Sequence, residues 1–192
     1  MTDRPLARSA GVSATTAPPA RAHGDPAEAG SFDALYRATA DDLYAYVATL
    51  VRDRAAAEDV VAAAFERAYR RQRSYDARRG SRRQWLFGIA RHAALDELRR
   101  RRRDATLAAE PGAPEPVADD AAGDPVRRAT VRAALAGLEP RDRELVALKF
   151  FAGLDNAEIA GVLGISPSTV HAHLRRALDR LRHTLEASSD AI

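Results

Sequence analysis

Apolar side chains recur at helical spacing through three segments between residues 31 and 103. Ser31 can cap a first helix that begins at Phe32, and Asp53 can cap a second one. A polar stretch containing Gly80 separates the second helix from a third, which runs out into arginines at 99–103. The predicted inward faces are Phe32, Leu35, Tyr36, Leu43, Tyr46, Val47 and Leu50, then Ala57, Val60, Val61, Ala64, Phe65 and Ala68, and then Trp85, Leu86, Ile89, Ala90 and Ala93.

The helical periodicity returns after a stretch of different composition. Residues 104–123 combine prolines and glycines with acidic side chains, which is typical of a flexible linker. Beyond it, helices are predicted at 125–137, 140–151, 156–163 and 167–185. Alternating β-branched runs, which are typical of strands, are absent. The sequence therefore predicts an all-α fold of two small helical domains joined by a flexible acidic linker.

The predicted domain boundaries follow from these changes in pattern. The first helical domain covers 31–103, and the second covers 124–187. Residues 1–30 are rich in Ala, Pro, Thr and Ser and lack periodicity, so they are predicted to be a disordered tail. Residues 188–192 form a second short tail.

The most informative motif is NAEIAGVLGISPSTVHAHLRRALDRL at 156–181. Asp155 and Glu158 have the spacing of a capping box, and Gly164 stands where a helix ends in the left-handed conformation. Ser166 can then cap a second helix. This order predicts a helix-turn-helix whose second helix enters the major groove, although a helical hairpin with a solvated basic face is the alternative. The predicted DNA-facing residues are Ser166, Ser168, Thr169, His171, Ala172, Arg175 and Arg176.

Charge is distributed unevenly along the chain. Residues 65–103 contain 14 arginines and four acidic residues, whereas 104–125 contain six acidic residues and no basic ones. The basic block indicates a polyanionic partner, and the tyrosines and tryptophan within it suit unstacked bases. Taken singly, a tryptophan such as Trp85 in a small helical domain is more often a core residue than a stacking platform, and Asp96 fits ion pairs with Arg99 and Arg100.

The order of three motifs resembles the extracytoplasmic-function group of bacterial RNA polymerase sigma factors, within the sigma-70 family. The motifs are AED-V-x4-F-x-R-A from Ala57, W-L-x2-I-A-R-x3-L-D-x-L-R-R from Trp85, and E-I-A-x2-L-G-I-S-x2-T-V from Glu158. The resemblance covers about residues 31–187. It implies a sigma factor that binds core RNA polymerase and directs promoter recognition, DNA melting and transcription initiation.

The resemblance also implies roles for individual residues. Those implied to bind the β′ coiled-coil of core polymerase are Asp59, Val60, Phe65 and Arg67. Those implied to read and open the minus-ten element are Tyr75, Arg83, Trp85, Arg91, His92, Asp96, Arg99 and Arg100. The helix-turn-helix face would read the minus-thirty-five element, and its domain would touch the β flap. An anti-sigma factor is a further expected partner.

The chain departs from the family pattern at several positions. Alanines at 62–64 replace a polar trio, which affects the expected polymerase contact. His92 stands where Asn is usual, and His171 and His173 stand where Lys or Arg is common. Neutral imidazoles would lower the affinity for phosphate near pH 7.

Two other classes of function are alternatives to the sigma factor. A conventional helix-turn-helix regulator would bind duplex DNA without being a polymerase subunit, but the segment 32–103 does not resemble a sensor domain. A nucleic-acid enzyme would need a metal or an acid–base constellation, and the five histidines have no ligand spacing. We therefore expect neither an enzyme nor a cofactor or metal site.

The expected location is the cytoplasm. The chain has no cysteine, which fits a reducing compartment. No secretory signal and no membrane span is recognisable in the sequence.

Overall fold

The computed structural model describes residues 31–107 and 125–189, and it confirms the all-α fold within these two ranges. An N-terminal unit contains α1 (Phe32–Val51), α2 (Arg54–Arg71) and α3 (Arg82–Leu107), with two 3-10 turns (Gln72–Ser74 and Ala77–Arg79) between α2 and α3. A C-terminal unit contains α4 (Pro125–Ala136), α5 (Pro140–Phe150), α6 (Asn156–Leu163) and α7 (Pro167–Ser189). The predicted tail at 1–30 and residues 108–124 of the predicted linker lie outside the described ranges.

The predicted caps of the first two helices are confirmed. The side chain of Ser31 accepts a hydrogen bond at the start of α1. Asp53 accepts the backbone N–H of Ala56 at 2.8 Å at the start of α2. Its carboxylate also lies 3.0 Å from the guanidinium of Arg101, so the same residue ties the start of α2 to the end of α3.

The helix-turn-helix forms with the predicted local chemistry. Asp155 accepts the N–H of Glu158 at 2.8 Å, and the Glu158 carboxylate accepts the N–H of Asp155 at 2.9 Å. Gly164 ends α6 with a φ of 67°. Ser166 then caps α7 by accepting the N–H of Thr169 at 3.1 Å. The predicted turn between the two helices is therefore confirmed at both ends.

The N-terminal unit is built around one face of α3. Leu86, Phe87, Ala90 and Ala94 are fully buried against α1 and α2. Each large apolar side chain buried in this way contributes about 1.5–3 kcal/mol. The alanines allow the helices to approach closely, because they add little volume between the axes.

Two details of the N-terminal unit differ from the sequence prediction. Tyr36, predicted to face inward, is 48% exposed, because its ring packs against the outer side of Phe65 with 4.7 Å between centroids. Helix α3 continues to Leu107, four residues beyond its predicted end. Ion pairs within the helix support the extension, with Arg100 lying 2.8 Å from Glu97 and 3.3 Å from Asp104.

The two units pack directly against each other, an arrangement that the sequence did not predict. Helix α5 contacts α1, and α6 contacts α3. The buried apolar residues of both units form one continuous cluster, which includes Leu43 of α1 and Leu148 of α5. The short αL turn at Gly164 sits in the C-terminal unit, where it sets the angle between α6 and α7.

A matched pair of glycine substitutions tests the role of this turn. A Cβ at Gly164 or at Gly88 would meet no atom within 4 Å, so only the backbone conformation differs. Gly164→Ala places a side chain at positive φ and should lower the free energy of unfolding by about 1–2 kcal/mol. Gly88→Ala lies within α3 and should raise it by up to about 1 kcal/mol. Urea unfolding followed by circular dichroism measures both, and equal effects would contradict the assignment.

Candidate nucleic-acid interface

The outer face of α7 presents the residues predicted to contact the minus-thirty-five element. Ser168, His171, Ala172, Arg175 and Arg176 are all exposed, whereas Val170, Leu174 and Ala177 are buried. The helix therefore has one face in the core and one basic face outside. A surface of this size and charge fits the major groove.

The start of α7 has a hydroxyl network. The Ser166 hydroxyl lies 2.8 Å from that of Ser168 and 2.7 Å from that of Thr169. Both neighbours sit in the first turn, where backbone N–H groups attract phosphate. Ser166 is already engaged in capping, so Ser168 and Thr169 are better placed than Ser166 to contact DNA.

His173 does not lie on the exposed face. Its Nδ1 is 2.9 Å from Oδ1 of Asp142 on α5, and the side chain is 26% exposed. Asp142 is also 3.5 Å from the guanidinium of Arg180. His173 therefore packs between α7 and α5, whereas His171 lies on the exposed face of α7.

A cleft of about 700 Å³ lies beside α3, and we call it the α3 cleft. The rings of Tyr75 and Trp85 lie in it with 5.6 Å between centroids, and the guanidinium of Arg82 is 5.4 Å from the Tyr75 ring. The Tyr75 hydroxyl donates to the carbonyl oxygen of Gly80 at 2.9 Å, which fixes the ring. Aromatic rings flanked by arginines can stack on bases that have left the double helix, while the cations attract the phosphate backbone.

The cleft brings together four of the residues predicted to contact the minus-ten element. Its lining includes Tyr75, Trp85, His92 and Asp96. It also includes Arg67, Arg71, Arg79 and Gln84, none of which was assigned to this element from the sequence. The spacing of Arg67 and Arg71, one helical turn apart on α2, is the signal that could have identified them.

Arg99 and Arg100 lie further along α3 and are exposed. Arg99 pairs with Asp96 at 2.9 Å, whereas Arg100 pairs with Glu97 rather than with Asp96. Burial alone would raise the pKa of Glu97, but hydrogen bonds from Arg100 and Arg101 outweigh it and lower that pKa. The ion pair with Asp96 is thus confirmed for Arg99, whereas Arg100 has other partners.

Arg83 and Arg91 are placed differently from the other residues assigned to the minus-ten element. Arg83 is 17% exposed and binds Asp42 on α1 and the carbonyl oxygen of Ala152 after α5. Arg91 is 21% exposed and donates to Glu144 of α5 at 2.8 Å. In this arrangement both guanidinium groups bind the protein itself.

The residues assigned to polymerase binding divide into two groups. Asp59 and Arg67 are exposed on α2, whereas Val60 and Phe65 are only 5% and 7% exposed. The two apolar side chains therefore position the helix from inside the core. Of the three alanines at 62–64, the first two are exposed beside Asp59 and the third is buried.

Within residues 31–107 and 125–189, no helix is both long and apolar enough to cross a membrane. In the same part of the chain, no three His, Asp or Glu residues are grouped so that they could hold a metal ion.

Family models match both halves of the chain. The model for sigma-70 region 2 matches residues 35–104, and the model for sigma-70 region 4 matches residues 128–181. The first range contains most of the residues that line the α3 cleft, and the second contains the helix-turn-helix. The chain is also 32% identical over 168 residues to the ECF RNA polymerase sigma factor SigK of Mycobacterium ulcerans, with 84% of this chain and 89% of that protein covered.

The chain belongs to the ECF sigma factors. SigL of Mycobacterium tuberculosis is 33% identical over 162 residues, covering 83% of this chain and 92% of that protein. CarQ of Myxococcus xanthus, an RNA polymerase sigma factor, is 34% identical over 157 residues, covering 81% and 89%. As a sigma factor, the protein directs transcription initiation by RNA polymerase, and the alternative of a conventional regulator is not favoured.

Solved structures agree with this fold. The sigma factor RpoE of Bartonella quintana, solved in complex with the anti-sigma factor NepR, has a TM-score of 0.67 at 23% identity, covering 81% of this chain and 96% of that one. CnrH, solved in complex with the cytosolic domain of CnrY, has a TM-score of 0.61 at 26% identity, covering 84% and 93%. Both likenesses extend over the two helical units of this sigma factor.

His171 and His173 of α7 give a test of the interface geometry. His173→Ala removes a partner of Asp142, which is 7% exposed, and should lower the free energy of unfolding by about 1–3 kcal/mol. His171→Ala changes an exposed side chain on the same helix and should change that free energy by less than about 0.5 kcal/mol. Urea unfolding measures both, and a larger effect at His171 would contradict the placement.

Proposed function

We propose that this sigma factor reads the minus-thirty-five element with α7 and captures the melted minus-ten strand in the α3 cleft. The observation that carries the proposal is the pair of rings, Tyr75 and Trp85, side by side in a cleft with several arginines. A regulator that only binds duplex DNA has no need of such a cleft. The chemistry instead suits bases that have left the double helix.

The energetics of strand capture are consistent with this geometry. Extruding a base from the duplex costs a few kcal/mol. Stacking one base on an aromatic side chain returns about 1–3 kcal/mol. His92 and Asp96 on the same wall supply hydrogen-bonding groups, and the exposed Arg99 and Arg100 can bind the backbone beyond the cleft.

We propose that α2 docks on the β′ coiled-coil of core RNA polymerase. Asp59 and Arg67 provide exposed charges on this helix, and the exposed alanines at 62 and 63 leave a flat apolar strip between them. Val60 and Phe65 would support the docking face from behind. The C-terminal unit would touch the β flap. We propose that the two functional domains cover residues 31–103 and 124–187.

The proposal also includes an anti-sigma factor as a partner and the cytoplasm as the location. A structural neighbour was solved with an anti-sigma factor, which supports an anti-sigma factor as a partner of this chain as well. The protein would act in the cytoplasm as a non-catalytic specificity subunit, with the chemistry of RNA synthesis carried out by the polymerase.

The α3 cleft is tested most sharply with Trp85→Ala in reconstituted holoenzyme. On a duplex promoter, open-complex formation should fall about tenfold, because one stacking contact is lost. On the same promoter with a pre-melted minus-ten bubble, most of the activity should return. Trp85→Phe keeps an aromatic face and serves as the matched control. Equal losses of Trp85→Ala on both templates would contradict a role in strand opening.

Base reading by α7 is tested with Arg176→Ala. If this side chain contacts a base edge, holoenzyme binding to a minus-thirty-five element should weaken by about 1–3 kcal/mol, and scrambled DNA should be affected less. Arg182→Ala removes the same charge from an exposed position further along α7. Binding of each variant to both DNAs can be compared by fluorescence anisotropy. An equal loss on scrambled DNA would assign Arg176 to phosphate rather than to bases.

A further inference from the structure

Helix α3 contributes one stripe of side chains to the α3 cleft. The stripe consists of residues three or four positions apart on one face of the helix, namely Trp85, Gly88, His92 and Asp96. A Cβ at Gly88 would meet no atom within 4 Å, so this wall is open between the Trp85 and His92 rings. The helical rise places His92 about 10 Å from Trp85 along the axis. His92 and Asp96 are therefore placed for a different nucleotide from the one that stacks on Trp85.

The His92 imidazole has a defined hydrogen-bonding state. Its Nδ1 lies 2.7 Å from the carbonyl oxygen of Gly88, one turn earlier on α3. A carbonyl oxygen only accepts, so Nδ1 carries the hydrogen, and the tautomer is inferred from this bond. In the neutral ring Nε2 is then an acceptor without a hydrogen. The His92 side chain is exposed where it lines the cleft, so a base in the cleft can reach this acceptor.

Asp96 adds further acceptors one turn beyond His92. Its side chain is 63% exposed, and Oδ1 lies 2.9 Å from Nη1 of Arg99. An exposed ion pair of this kind contributes little stability, so it does not prevent a second contact. An ionised carboxylate accepts hydrogen bonds but cannot donate them. This end of the α3 stripe therefore presents acceptors only.

Helix α2 contributes the opposite chemistry to the same cleft. Arg67 and Arg71 line it from positions one helical turn apart. A guanidinium group donates hydrogen bonds and cannot accept them. A pair of hydrogen bonds from arginine to O6 and N7 of guanine is the commonest specific contact between a protein and a base. The α3 cleft thus offers acceptors from α3 and donors from α2.

The four bases differ in how they fit such a cleft once they have left the duplex. Guanine carries two adjacent donors, N1–H and the N2 amino group, with the acceptors O6 and N7 beside them. Adenine and cytosine each have one amino group followed by an acceptor nitrogen, and thymine has one imino N–H between two carbonyl oxygens. With these three bases, one acceptor of the α3 stripe would face another acceptor. That contact is unfavourable because both groups lose water without gaining a donor.

We infer that His92 and Asp96 select guanine at one position of the melted minus-ten strand, with Arg67 and Arg71 binding its O6 and N7 edge. The inference rests on the proposed function, because it takes the α3 cleft as the site of that strand. An asparagine side chain at position 92 would present a donor as well as an acceptor. The imidazole presents only the acceptor, since its Nδ1 is bound to Gly88. His92 therefore narrows the choice of base.

Selection of DNA by the reconstituted holoenzyme measures the base preference directly. The probe is a duplex with a pre-melted bubble in which one strand, and then the other, is randomised. The DNA that the holoenzyme retains is sequenced, and guanine should predominate at one position of one strand. Replacing that guanine by hypoxanthine removes only the N2 amino group. Binding should then weaken about tenfold, because one acceptor of the α3 stripe loses its donor.

Variants of the two acceptor residues test whether they cause the preference. His92→Phe keeps a ring without an acceptor, and Asp96→Asn replaces one acceptor oxygen by a donor. Each should lower the preference for guanine over adenine, and at least one should reduce the effect of hypoxanthine to less than about twofold. Asp104→Asn makes the same change on α3 outside the cleft and should leave both ratios unchanged. All three side chains are exposed, so the variants should fold normally.

The base assignment and the proposed function fail on different results. Retention of bubble DNA with another base enriched, or with none, would overturn the guanine assignment and still support strand capture. Equal binding of guanine and hypoxanthine would have the same meaning. So would an undiminished effect of hypoxanthine in both His92→Phe and Asp96→Asn, or an equal reduction in Asp104→Asn. Failure to retain bubble DNA in preference to intact duplex would count against strand capture itself, and with it against the guanine assignment.

Discussion

Leu86, Phe87, Ala90 and Ala94 of α3 are fully buried against α1 and α2, and this contact fixes the rotation of α3 about its own axis. Once the rotation is fixed, the other side chains of the helix have determined directions. Trp85 and its neighbours at 92 and 96 line the α3 cleft, while the arginines at 83 and 91 point toward the C-terminal unit. A single apolar stripe therefore separates the side chains that line the α3 cleft from those that contact the C-terminal unit.

Arginine side chains form the polar contacts at the boundary between the two units. Arginine binds phosphate and carboxylate through similar geometry, so a side chain suited to promoter DNA can also bind an internal acid. In the packed arrangement Arg91 binds Glu144, and Arg83 binds Asp42 and backbone carbonyls. The outer face of α7 stays exposed in the packed arrangement, because the core contacts of this helix are made by Val170, Leu174 and Ala177. Contacts within the protein thus occupy two arginines that were expected to bind the minus-ten element.

Local features were predicted well from the sequence, whereas contacts between distant residues were not. The capping box at Asp155, the turn at Gly164 and the outward face of α7 depend on residues a few positions apart, so spacing alone determines them. The bond between Tyr46 and Glu144 joins residues 98 positions apart, and periodicity identifies a face without identifying its partner. For the same reason, the sequence did not identify Asp142 of α5 as the partner of His173.

As a sigma factor, this chain is expected to give core RNA polymerase its promoter specificity. The most direct measurement is transcription by purified core polymerase on host genomic fragments, with and without the protein, followed by mapping of the transcript start sites. The expected transcripts depend on the protein and begin at discrete sites preceded by two shared sequence elements. Absence of such transcripts and of co-elution with core polymerase, alongside direct binding of the protein to duplex DNA, would contradict it.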